Sequence, residues 1–71
     1  MASVASFVYT RLGVEALENW TLLSREMDRL QKRLGKSQGA EVDKVLQEIH
    51  VVGIQISSIM EEAGVPPDLI S

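Results

Sequence analysis

His50 is the only histidine in this 71-residue chain, which has no cysteine. Any metal or nucleophile chemistry would have to be assembled around it from carboxylates and serines. No second histidine stands one helical turn away at i+4, and no carboxylate pair has metal-ligand spacing, so a metal would need ligands from another chain. Acid–base catalysis requires carboxylates converging on a cleft. Glu61 and Glu62 are adjacent in sequence and therefore point to different faces of any helix that carries them. Gly35 and Gly39 match neither of the glycine-rich phosphate-binding patterns. The residue types thus predict a non-enzymatic chain with no cofactor, no metal and no small-molecule substrate.

Arg25, Arg29, Lys32 and Lys36 are spaced by four, three and four residues and can share one helix face. Glu26 and Asp28 interrupt this basic field, and no aromatic residue interleaves for base stacking. The net charge is −3, which opposes broad attraction to nucleic acid or to anionic lipid. The cluster reads as a solvated face. Residues 50–60 include Gln55, Ser57 and Ser58 and are too polar to span a bilayer. Residues 1–9 lack the basic lead and the length of a signal peptide. A soluble protein of the cytoplasm is expected, with no nucleic-acid or membrane partner.

The elements that must carry these residues are written in two apolar seams. Ala16, Trp20, Leu23, Met27, Leu30 and Leu34 follow at alternating steps of four and three, and Val42, Val45, Ile49, Val52, Ile56, Ile59 and Ala63 do the same. Such spacing keeps one line of side chains facing a partner helix. The fold class is therefore all-α, an antiparallel, coiled-coil-like helical hairpin in a single domain. Residues 14–34 form its first helix, 35–40 its loop, 41–63 its second helix and 64–71 a tail. Residues 3–12 carry Val4, Phe7, Val8 and Leu12 on one face and predict a short leading helix, with Gly13 either breaking it from the next or forming a weak joint. Gly35 is expected as a left-handed cap and Ser37 as the cap of the second helix. The β-branched run Val51, Val52, Ile54 and Ile56 would also suit a strand, but the seam passes through it unbroken. Gly64 and Pro66-Pro67 end the second helix. Arg29, Lys32, Arg33 and Lys36 then lie near Glu41, Asp43 and Glu48 at the loop end, which favours the antiparallel pairing.

The second helix has more apolar surface than one seam requires. Leu46, Gly53 and Met60 form a parallel stripe at intervals of seven, and Val51 and Ile54 lie on the outer side. A helix apolar around most of its circumference is buried on more than one side. Leu46, Val51, Gly53, Ile54 and Met60 are therefore the candidate partner-binding residues, with Gly53 allowing close approach of another helix. The cover could be the leading segment, a helical protein partner, or a second copy in a homodimeric four-helix bundle. Trp20 reads as a seam residue that fills core volume, with an interface anchor as the other use of a tryptophan.

Thr10-Arg11-Leu12, a first helix ending Arg33-Leu34-Gly35, Val45-Leu46-Gln47 opening the second, and the later Gly53-Ile54 and Ile59 together resemble the small E-type co-chaperones of type III secretion needle subunits. That resemblance spans most of the chain. It implies a cysteine-poor helical hairpin that joins a repeat-containing chaperone and helps to keep the needle subunit from polymerising early.

Overall fold

Ser3 opens the helical chain. Its backbone is extended, and its hydroxyl oxygen accepts the N–H of Ser6 at 3.2 Å, which satisfies one of the unpaired donors of a first helical turn. The computed structural model describes residues 3–70, and among these the chain forms four helices and no strand. Helix α1 spans Val4–Leu12. Gly13 ends it with φ +96°, a backbone conformation that side chains with a Cβ disfavour. The Gly13 N–H donates to the Tyr9 carbonyl at 3.0 Å, and its own carbonyl accepts the Leu17 N–H at 3.2 Å. One residue thus closes α1 and starts α2, Val14–Leu34, so the two are separate helices.

Helix α2 places Glu15 in its first turn and Lys32 and Arg33 in its last, as the helix dipole favours. Its end differs from the sequence expectation. Gly35 is right-handed (φ −63°), and the final carbonyls are tied off by short bonds from Lys36 to Arg33 at 3.0 Å and from Ser37 to Leu34 at 3.2 Å. Such bonds tighten a last turn without a left-handed residue. The Ser37 hydroxyl donates to the Arg33 carbonyl at 2.7 Å, so it belongs to the end of α2 and does not cap the next helix. The left-handed turn of the loop falls instead on Gly39 (φ +64°), directly before α3, Ala40–Glu62. Glu41 and Asp43 supply negative charge to the first turn of α3, which has no side-chain cap.

Helix α3 continues through Val51, Val52, Gly53 and Ile54 without a break. At its end Gly64 (φ +68°) donates to the Glu61 carbonyl and Val65 donates to the Met60 carbonyl, both at 3.1 Å. This crossed pair is a Schellman motif, and it turns Val65 back into the core. Pro67 then occupies the first position of a short helix, α4, Pro67–Ile70, in the segment the sequence predicts only as a tail. Leu69 is exposed there; the side chain of Ile70 and all of Ser71 lie outside the described residues.

Every seam residue of α2 and α3 is buried or half-buried, with Leu30 and Val45 enclosed. At the open end of the hairpin α1 lies against both long helices. Val8 is fully buried with Ala63 and Val65, ringed by Phe7, Leu12, Leu17, Trp20, Ile59 and Met60. Full burial of such aliphatic side chains stabilises by roughly 1.5–3 kcal/mol each, so few residues carry most of the stability of a domain this small. In urea unfolding, Leu30→Ala is expected to cost about 2–5 kcal/mol. Gly64→Ala should cost about 1–2 kcal/mol because alanine must adopt the left-handed conformation, whereas exposed Gln31→Ala should stay within about 0.5 kcal/mol.

Candidate protein-interaction surface

The candidate residues separate into two groups according to where α3 turns them. Leu46, Val51 and Ile54 are 47%, 51% and 54% exposed. Met60 instead packs within the chain against the Val8, Ala63 and Val65 cluster that α1 helps to build. Gly53 faces α2, where Met27 Cε lies 3.6 Å from the position an alanine Cβ would take. The helix that approaches the backbone at Gly53 is therefore the other arm of the same hairpin.

Helix α2 adds a residue that the sequence reading did not single out. Leu22 is 61% exposed, more than any other large apolar residue described. Its signal was present, because Leu22 and Leu23 are adjacent and only one of two neighbours can face a helical seam. Leu22 and Ile54 line one open groove between α2 and α3, with Leu23 and Ile59 at its floor and Asn19 and Ser58 beside them. Val51 lines the next stretch toward the loop, with Leu30 and Val52 inside and Glu26, Arg29, Lys44 and Glu48 around it. Steps of three and four residues connect the two stretches on both helices, so they form one face.

The charged margin of that face is partly neutralised within the chain. Arg33 donates two hydrogen bonds to Glu41 Oε1, at 3.2 and 3.1 Å, and its Nη1 lies 3.9 Å from Glu48. Arg29 pairs with Glu26 at 2.6 Å. These side chains are largely solvent-exposed, and pairs of this kind contribute about 0–1 kcal/mol. Their geometric effect is larger, because Arg33 ties the last turn of α2 to the start of α3 across the loop. At the other end of the hairpin Glu15, Glu18, Glu61 and Glu62 gather with Arg11 as the nearest base in sequence.

His50 is exposed on α3 and borders a shallow groove with Met27, Ile54 and Glu61. Among the described residues there is no group of three or more histidine, aspartate or glutamate side chains that could hold a metal ion, and no helix long and apolar enough to cross a membrane. Trp20 belongs to the cluster around Val8, where its Nε1–H is buried without a hydrogen-bond partner. Its ring fills core volume at the junction with α1. Compared with known proteins, the chain matches no family model, no curated protein and no solved structure.

Two substitutions test this division of the surface. Gly53→Ala should raise stability by about 1 kcal/mol, because the new methyl group meets Met27 at ordinary van der Waals distance and alanine favours the helix. Differential scanning calorimetry would show a higher midpoint; a lower one would mean that the α2–α3 approach is tighter than described. Trp20→Phe should cost no more than about 1.5 kcal/mol, since it keeps most of the ring and removes an unpaired buried donor. Trp20→Ala should cost about 3–5 kcal/mol.

Proposed function

We propose that this chain is a non-enzymatic protein-interaction module of the cytoplasm, a small adaptor or co-chaperone that buries the outer side of α3 against the helices of another chain. The observation that carries this reading is the trio Leu22, Val51 and Ile54, three large aliphatic side chains each more than half exposed along one groove between α2 and α3. Isolated exposed leucines need no explanation, but several on adjacent turns beside a groove form a surface that water solvates poorly. Docking a helix into an apolar groove matches the side-chain spacing of both partners at i, i+3 and i+4. The resemblance to the E-type co-chaperones of type III secretion supports the same reading, and makes a repeat-containing helical chaperone and a needle subunit the first candidates.

Replacing Ile54 by Asp places a charge at the middle of this surface, at a position where the folded chain leaves the side chain in solvent. Affinity capture from the native host, comparing wild type with Ile54→Asp, should return a helical partner with the wild type only. The variant should keep its far-UV circular dichroism, and titration calorimetry with the purified partner should show at least about a tenfold loss of affinity. Equal capture and equal affinity for both proteins would refute the proposal.

A further inference from the structure

We propose that the groove marked by Leu22, Val51 and Ile54 is filled by a second copy of this chain, docked antiparallel about a twofold axis through the groove. This rests on the reading above that the exposed face is a docking surface, and it names a second copy of the chain, in place of a foreign helix, as the occupant.

The first support is the order of residues along the face. On α2 the stripe runs Glu15, Asn19, Leu22, Glu26, Arg29 and Arg33; on α3, in the opposite chain direction, it runs Glu62, Ser58, Ile54, Val51, Glu48 and Lys44. Each step is three or four residues, so each stripe stays on one side of its helix. Read along the hairpin, the face is acidic at the open end, apolar at mid-length and mixed with an excess of base at the loop end. A twofold axis through the apolar middle lays apolar on apolar and sets Glu15 and Glu62 of one copy beside Arg29, Arg33 and Lys44 of the other. A parallel arrangement would set acid against acid. Glu15, Glu62 and Lys44 make no ion pair among the described residues, whereas Arg29 and Arg33 already pair with Glu26, Glu41 and Glu48, so Lys44 is the base with its charge available for such a contact.

The second support is surface area. The chain exposes 5305 Å², about 900 Å² more than the roughly 4,400 Å² of a compact monomer of 7.8 kDa. That excess is close to the ~800 Å² that each partner contributes to a standard stable interface. The shape agrees. The radius of gyration is 13.6 Å, against about 11 Å for a compact chain of this length, with a long axis of 42 Å. Two such hairpins laid side by side make a four-helix bundle, in which an isologous contact uses the same patch twice.

Sedimentation equilibrium of the full chain over a wide concentration range should give a monomer–dimer equilibrium rising to twice 7.8 kDa. Leu22→Asp and Ile54→Asp should each weaken dimerisation by about tenfold or more, with helicity retained. Raising NaCl from about 0.05 to 0.5 M should weaken the wild-type dimer several-fold, because exposed charge pairs are screened. A spin label on Gln38→Cys, the only cysteine in that variant, should give an interchain distance comparable to the 42 Å long axis. A mass of one chain at every concentration, a label separation below half that axis, or a dimer indifferent to both aspartate substitutions would overturn the self-docking. A monomer that still captures a foreign helix through Ile54 would overturn this inference alone; a monomer whose Ile54→Asp variant captures the same partners equally would overturn the interaction surface as well.

Discussion

The seam between α2 and α3 is the constraint on which every other feature depends. Its apolar positions recur at alternating threes and fours along most of each long helix, and each is at least half-buried. Two helices of this composition have little to hold them in isolation, since most helical stability in proteins comes from tertiary packing of an apolar face. Closing the seam fixes the loop, the antiparallel direction and the sides of both helices that remain outside. Leu22 and Ile54 are exposed for the same reason that Leu23 and Ile56 are covered. The polar ties at the loop, Arg33 to Glu41 above all, join the end of α2 to the start of α3 and add little stability.

The exposed groove lies where α1 does not reach. At about 1.5 Å per residue, the nine residues of α1 extend about 14 Å and the twenty-three of α3 about 35 Å. A helix so short can cover one region of the hairpin. It covers the open end, where Val8, Phe7 and Leu12 meet Trp20, Met60 and Ala63. Met60 is absorbed into the core by that contact, while Leu46, Val51 and Ile54, nearer the loop, receive no such cover.

Much of this was legible in the residues themselves. The seven-residue repeats locate both long helices, and the glycines and prolines that flank them bring the expected ends within one residue of those observed. The break at Gly13 was visible as a choice between two outcomes, which the positive φ of that residue decides. The loop was harder to read. Gly35, Ser37 and Gly39 all suit a reversal, and which glycine takes the left-handed conformation depends on how α2 closes its last carbonyls, a matter of geometry that residue types do not encode. Pro67 carried a helix-start signal that was read only as a stop. For the surface, the apolar surplus on α3 was visible, but periodicity on a single helix cannot show that Met60 meets α1 or that Gly53 meets Met27. Leu22 has Glu18, Asn19, Arg25 and Glu26 as its neighbours at three and four residues, so no apolar stripe marks it in the sequence.

Trp20 gives this architecture its own reporter. The single indole lies where α1 rests on the hairpin, within the cluster around Val8 and away from the loop. Undocking of α1 would admit water to the indole while the long helices stay paired, so fluorescence emission and backbone ellipticity read two different events. A shift in emission ahead of the loss of ellipticity would mark the leading helix as a separately detachable unit, hinged at Gly13.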